Sequence, residues 1–85
     1  MKLKQLLGIM SETKYRIIVR KQDENSILPF QEYTYDTIEI DYLIQDNDTF
    51  RQNKTKRDEC ANGIVTDIHY NKVTRCIEIQ VDLGE

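Results

Sequence analysis

The stretch IVTDIHYNKVTRCIEIQV, residues 64–81, decides the fold of this 85-residue chain. Side chains in Ile64–Tyr70 and in Val73–Val81 alternate between apolar and polar, which is the period of a β-strand. Only Asn71 and Lys72 separate the two stretches, and asparagine tolerates the positive φ that a tight turn requires. The sequence therefore predicts a β-hairpin at the C-terminal end.

Further strands and one short helix are predicted upstream of the hairpin. Tyr15–Lys21 and Thr37–Ile44 alternate in the same way, with a polar hairpin loop at residues 22–26. Ile27-Leu28 would form an edge strand that Pro29 ends, because proline cannot donate to a ladder. The helix is predicted from apolar residues at spacings i, i+3, i+4 and i+7, namely Leu3, Leu6, Leu7 and Met10.

These elements indicate an α+β fold in a single domain covering residues 1–85, since a chain this short cannot build two cores. The expected architecture is a short N-terminal helix packed on a four- to five-stranded antiparallel sheet that ends in the C-terminal β-hairpin. Residues 45–62 contain few apolar side chains. We therefore expect a long polar loop there.

The two cysteines, Cys60 and Cys76, lack paired spacing. In a reducing compartment they are expected to be free thiols. With His69 they supply three ligands of the kind that zinc prefers, one short of a structural site, so no metal or cofactor is predicted. Leu6–Met10 is too short for a signal peptide or membrane span, which predicts a cytoplasmic protein that does not enter membranes.

Acidic side chains concentrate in residues 23–50, which carry eight Asp and Glu residues and no Lys or Arg. Carboxylates interleaved with aromatic rings could imitate a phosphate backbone and occupy the basic groove of a nucleic-acid-handling protein. The alternative is a charged strand face that keeps the protein in solution and discourages edge pairing. The candidate partner-binding residues are Tyr33, Tyr35, Asp36, Glu39, Asp41 and Tyr42.

A basic cluster follows at residues 51–57 and indicates an alternative function. An oligomer of the chain could sequester a small anionic, nucleotide-like ligand, and homo-oligomerisation would also help a domain with so small a core. The isoelectric point near 5.1 argues against direct nucleic-acid binding, for which a basic domain is typical. The candidate clamps are Arg51, Lys54, Lys56 and Arg57.

Catalytic machinery is not recognisable in the sequence. His69 is the only histidine, and although Cys76 could lie near it across the hairpin, no oxyanion donor accompanies the pair. Gly8, Gly63 and Gly84 lie too far apart to form a phosphate-binding loop. The sequence therefore predicts a binding protein and not an enzyme.

Met1–Leu7 has the form Met-Lys-Leu-Lys-x-Leu-Leu, a strand follows at Tyr15–Arg20, and a hairpin at Val65–Val81 ends the pattern. In these features the chain resembles short proteins encoded by phages and prophages of Gram-positive bacteria, although Ile44–Asn62 has no counterpart. The resemblance implies a small protein that acts in the host cytoplasm. It further implies that the partner is a host or viral protein. One implied role is the inhibition of host defence enzymes that act on nucleic acids.

Overall fold

The computed structural model of the chain describes residues 1–22 and 33–83. Within these residues, four strands form one sheet in the order β2-β1-β4-β3. Two helices accompany the sheet. The elements are α1 (Leu3–Leu7), β1 (Lys14–Gln22), β2 (Tyr33–Asp41), α2 (Asp48–Glu59), β3 (Ile64–Asn71) and β4 (Cys76–Asp82).

The sheet is mixed. β1 pairs antiparallel with β2 and parallel with β4, so that Ile17 lies between Ile38 and Ile79, while β3 and β4 form an antiparallel pair. The predicted α+β class is confirmed, whereas the prediction of a wholly antiparallel sheet is wrong. Parallel neighbours need a long connection, and here the chain runs through β2, α2 and β3 before β4 returns beside β1.

One face of the sheet carries the core, and we call it the helix face. Leu3 and Leu6 of α1 are buried there, as the helical spacing predicts, and Phe50 of α2 packs against the same cluster. The strands contribute Tyr15, Ile17, Val19, Ile38, Ile40, Ile79 and Val81. The opposite face, which we call the open face, carries the alternate residues of each strand.

A β-bulge between Val65 and Asp67 changes the pattern of β3. Strict alternation along β3 would place His69 on the same face as Val65, but the extra residue of the bulge reverses that relation. Val65, Ile68 and Tyr70 pair with the core-facing residues of β4, whereas Asp67 and His69 lie on the open face. Alternation along the sequence cannot reveal a bulge, because it assumes that each residue of one strand pairs with one residue of the neighbouring strand.

The C-terminal hairpin has a longer turn than predicted. The turn occupies Lys72–Arg75, Arg75 has a φ of 58°, and its backbone nitrogen donates to the carbonyl of Asn71 at 2.8 Å. The Asn71 side chain also accepts a hydrogen bond from the backbone of Val73 at 2.9 Å. β4 therefore begins at Cys76 and not at Val73.

Residues 45–62, predicted to be a loop, contain the twelve-residue helix α2. Asn47 caps it by accepting a hydrogen bond from the Phe50 backbone nitrogen at 2.7 Å. Lys56 and Arg57 lie in its last turn, where cations favour the helix dipole. The helix has few apolar residues, so hydrophobic periodicity does not reveal it.

Other predictions have mixed outcomes. The strand predicted at Thr37–Ile44 begins earlier and ends at Asp41, which leaves Ile44 exposed. The edge strand predicted at residues 27–28 and the loop at residues 22–26 lie mostly or wholly outside the described residues. In the described part of the chain, no helix is long and apolar enough to cross a membrane. Cys60 and Cys76 are both buried, and neither forms a disulfide.

Candidate functional site

An open groove of about 270 Å³ lies where the end of β2 meets the beginning of α2. We call it the β2–α2 groove. Its walls combine two carboxylates and one ammonium group with apolar and amide side chains, including Lys14, Glu39, Asp41, Ile44, Phe50 and Asn53.

Local hydrogen bonds fix the shape of the groove. Asp41 is the last residue of β2, and its carboxylate accepts a hydrogen bond from the Leu43 backbone nitrogen at 2.9 Å, which turns the chain away from the strand. Asn53 of α2 donates from its side chain to the backbone carbonyl of Glu39 at 2.8 Å. This bond ties the helix to the strand along the length of the groove.

Aromatic side chains support the groove from the helix face. The Tyr42 ring lies 5.6 Å from Phe50, edge to face, and 6.4 Å from Tyr15. Such aromatic pairs contribute beyond the area that they bury. Phe50 is therefore held in place at the groove by Tyr42.

Arg57 joins this aromatic cluster from α2. Its Nη1 atom donates to the hydroxyl of Tyr15 at 3.1 Å and to the hydroxyl of Tyr42. Burial raises the pKa of Tyr15, and the hydrogen bond from Arg57 partly offsets that rise. Burial opposes the charged form of Arg57, but its hydrogen bonds to the tyrosines and to Asp58 leave the guanidinium pKa raised. Arg57 thus stays cationic while it fastens α2 to the sheet.

Three predicted partner-binding residues share the open face of β2. Glu39 and Asp41 both line the β2–α2 groove. Tyr35 lies further along the strand and is 70% exposed. The alternation of β2 places these three side chains on one side, so the structure brings part of the predicted set together.

Two of the other predicted partner-binding residues, Asp36 and Tyr42, lie elsewhere. Asp36 points to the helix face, where its carboxylate lies 3.7 Å from the Lys21 ammonium. Tyr42 follows β2 and belongs to the aromatic cluster beneath the groove. Tyr33 is the first residue of β2. The six residues therefore do not form one continuous surface.

The basic cluster is dispersed around α2. Arg51 lies 3.4 Å from Asp48, and the Arg57 side chain is only 13% exposed. Lys54 and Lys56 are exposed, but two residues correspond to about 200° around a helix, which separates their side chains. The structure does not bring the four cations together around one ligand.

A charged row that the sequence did not predict crosses the open face. Glu78 lies at its centre and is 5% exposed. Arg16 Nη1 donates to one of its carboxylate oxygens at 3.4 Å, and His69 Nε2 lies 2.8 Å from the other. Arg16 also lies 4.0 Å from Glu39. The row therefore spans all four strands, and finding it requires knowledge of the strand order.

Carboxylates surround His69 within this row. Its Nδ1 atom lies 3.0 Å from the carboxylate of Asp67, and hydrogen bonding to Asp67 and then Glu78 raises the pKa of His69. A hydrogen bond from Asn71, followed by the contact with His69, lowers the pKa of Glu78. The two carboxylates therefore favour the cationic form of the imidazole, and its two nitrogens are engaged away from Cys76.

Metal binding has no geometric basis in the described residues, where no group of three or more His, Cys, Asp and Glu side chains is placed to hold an ion. No family model, curated protein or solved structure matches the chain. The resemblance to phage-encoded proteins stays a prediction. Function is therefore inferred from the groove and the sheet.

Proposed function

We propose that this protein is a non-enzymatic binding module that engages a partner protein through the β2–α2 groove. The main support for this proposal is that two carboxylates and two apolar side chains line the same open groove. These are Glu39 and Asp41 beside Ile44 and Phe50.

The exposure of the groove rim favours a protein partner. Leu43 and Ile44 are neighbours in the chain, and 78% and 56% of their surfaces are exposed. Single exposed apolar residues are ordinary, but an adjacent pair beside a groove provides apolar area that a partner could bury. The groove volume of about 270 Å³ is below the range of most small-molecule sites and suits one or two side chains of a protein.

The charge of the groove selects the chemistry of that partner. Among the described residues that line the groove, Lys14 is the one cation beside Glu39 and Asp41, and Arg16 lies 4.0 Å from Glu39 on the open face. Carboxylates accept charge-assisted hydrogen bonds from arginine and lysine, and they increase the rate of encounter with a basic surface. We therefore propose a partner segment that combines basic and apolar side chains.

A nucleic-acid-handling protein of the host has such basic surfaces. Tyr35 extends the same side of β2 beyond Glu39, so carboxylates and an aromatic ring could occupy positions that phosphates and bases take in a nucleic acid. We extend the proposal to inhibition of a host defence complex of this kind. This extension rests on the resemblance to phage-encoded proteins.

The alternative of an oligomeric sponge for a nucleotide-like ligand finds less support. Arg57 is committed to the tyrosines of the helix face, and Lys54 and Lys56 diverge around α2. Clamping one anion would require these side chains to converge. The alternative therefore stays a prediction without a supporting contact.

Quantitative pull-down with matched variants tests the proposal. The double variant Glu39→Gln/Asp41→Asn removes both charges and keeps an oxygen that can accept the Leu43 hydrogen bond. We expect capture of the partner to fall about tenfold, which corresponds to about 1.4 kcal/mol. The control Glu12→Gln/Asp46→Asn removes the same charge from exposed positions that do not line the groove.

The captured protein is then purified and titrated calorimetrically with each variant. Weaker binding by the groove variant, with unchanged binding by the control, supports the proposal. Equal binding by the groove variant and the wild type would remove its basis, because the carboxylates would then contribute nothing to recognition.

A further inference from the structure

Among residues 1–22 and 33–83, none pairs with the outer edge of β3 along most of its length. β3 is the last strand in the order β2-β1-β4-β3. Near its beginning, Lys2 forms a bridge with Ile64, and the Val65 backbone nitrogen donates to the carbonyl of Met1 at 2.8 Å. Among the described residues, no strand pairs with this edge beyond Val65.

The strand at the opposite edge of the sheet, β2, is covered by a helix. α2 packs against β2, and the Asn53 side chain donates to the backbone carbonyl of Glu39. Proteins usually cover or interrupt sheet edges in this way, because unpaired backbone groups attract another strand. β3 has a protective device of its own in the bulge between Val65 and Asp67, but from Asp67 to Tyr70 its edge has no partner strand among the described residues and is available for pairing.

The side chains of β3 are suited to an interface. Ile68 and Tyr70 lie on the helix face, yet 47% and 60% of their surfaces are exposed. Asp67 and His69 lie on the open face, where the carboxylates of Asp67 and Glu78 lie 3.0 and 2.8 Å from the His69 ring nitrogens and favour its cationic form. The edge thus presents apolar residues on one side and complementary charges on the other.

We propose that this edge pairs antiparallel with β3 of a second copy of the chain, about a two-fold axis at Ile68. In this register Asp67 of each copy lies opposite His69 of the other, which gives two such pairs. Thr66 of each copy lies opposite Tyr70 of the other. Opposite charges directly across two strands stabilise their pairing. Joining two four-stranded sheets in this way produces one continuous sheet.

Electrostatic interactions favour this register over the registers with the two-fold axis at an adjacent residue. A two-fold axis at Asp67 would bring the two Asp67 carboxylates together, and an axis at His69 would bring the two imidazoles together. Like charges in directly opposed positions destabilise strand pairing. Shifts by an odd number of residues between opposed positions would place the helix faces of the two copies on opposite sides of the sheet.

The dimer is expected to be weak and reversible. Met1 and Lys2 already occupy the edge at Ile64 and Val65, so pairing is confined to Thr66–Tyr70. Such a short edge buries less area than a standard protein interface. A dissociation constant on the order of micromolar is consistent with that size. This inference concerns a different edge from the groove and does not depend on the proposed partner.

Charge exchange across the axis provides a specific test. Asp67→Lys places cations opposite His69 in a homodimer, and His69→Glu places carboxylates opposite Asp67. We expect each variant alone to dimerise about tenfold less tightly than the wild type in sedimentation equilibrium. An equimolar mixture should recover a heterodimer, because the introduced lysine then faces the introduced glutamate and His69 faces Asp67.

The control is Asp46→Lys, which makes the same charge change at an exposed position near α2, beside the opposite edge strand. Its dimerisation should match that of the wild type. Recovery in the mixture cannot come from unfolded chains, so it supports the proposal even if His69→Glu is destabilised.

A second variant covers the case in which His69→Glu fails to fold. Ile68→Lys places two lysines across the axis at a half-exposed position, and it should weaken the dimer by at least about tenfold. Native folding of this variant is checked by circular dichroism. Wild-type protein that remains monomeric at about millimolar concentration overturns the proposal, as does wild-type affinity in Ile68→Lys or a folded pair of charge variants that stays monomeric when mixed.

Discussion

Replacement of Arg57 by methionine tests whether this side chain fastens α2 to the sheet. Methionine keeps most of the apolar stem and removes the guanidinium, which donates to the hydroxyls of Tyr15 and Tyr42. Hydrogen bonds that involve a charged group contribute about 1.5–3 kcal/mol each. Tyr42 is partly exposed, so its hydroxyl can bind water in the variant and the loss is smaller. We expect destabilisation by about 2 kcal/mol.

That loss is large for this chain. A domain of 85 residues has a free energy of unfolding of about 4–13 kcal/mol. Urea unfolding followed by far-ultraviolet circular dichroism measures the change directly. A double-mutant cycle with Tyr42→Phe isolates one hydrogen bond, and we expect a coupling of about 1 kcal/mol between Arg57 and Tyr42.

Lys54→Met provides the matched control, because Lys54 is an exposed residue of the same helix. It should change stability by less than about 0.5 kcal/mol. A similarly small effect for Arg57→Met, or a coupling near zero, would refute the role assigned to Arg57. The ligand-sponge alternative predicts the reverse pattern, in which Arg57→Met removes anion binding and leaves stability unchanged.

Four other substitutions have defined outcomes. Gly63→Ala would place a methyl carbon 2.3 Å from Val81 and should lower the free energy of unfolding in urea by about 1–3 kcal/mol. Gly8→Ala is the control, because Gly8 has a helical φ of −68° and the added carbon would meet no atom closer than 3.5 Å. It should leave stability unchanged or raise it slightly. Asn47→Ala removes the α2 cap and should cost about 1 kcal/mol, with unchanged stability counting against the cap. The raised pKa of folded His69 means that its stabilising effect is present below about pH 6.5 and lost as pH rises through the folded pKa. The stability advantage of wild type over His69→Asn should decline across that range, and parallel pH profiles would contradict this expectation.

Strand periodicity was a good guide to the central part of the fold. Ile17, Ile38 and Ile79 each lie on an alternating strand, and each is buried on the helix face. Alternation reports which side chains share a face, but it contains no information on the direction of the neighbouring strand. Alternation therefore could not predict the parallel pairing of β1 with β4.

α2 was missed because polar residues form its contacts with the sheet. Asn53 binds a strand carbonyl and Arg57 binds two tyrosine hydroxyls, while Phe50 is the one large apolar side chain on that face. The cap at Asn47 is a local signal that could have indicated the helix. A pattern search based on hydrophobic spacing passes over a helix of this kind.

The candidate site could be predicted only in part for a similar reason. Glu39 and Asp41 were identified from charge and spacing, and they line the groove. Ile44 follows β2 in the connecting segment and Phe50 belongs to α2, so only the packing of α2 against β2 shows that they share that groove. The position of Tyr42 beneath it likewise depends on the turn that follows β2.

The two proposals are compatible because they use opposite edges of one sheet. The groove lies beside β2, whereas self-pairing uses β3, and β1 and β4 separate these strands. Pairing at Ile68 about a two-fold axis would place the two grooves at the far ends of the joined sheet. Neither groove would be covered, and a partner with two binding segments could engage both if its span matched. Bivalent engagement strengthens attachment without any new contact. A weak dimer and a shallow groove could thus give tight binding together, even though a domain this small offers little surface for either interaction alone.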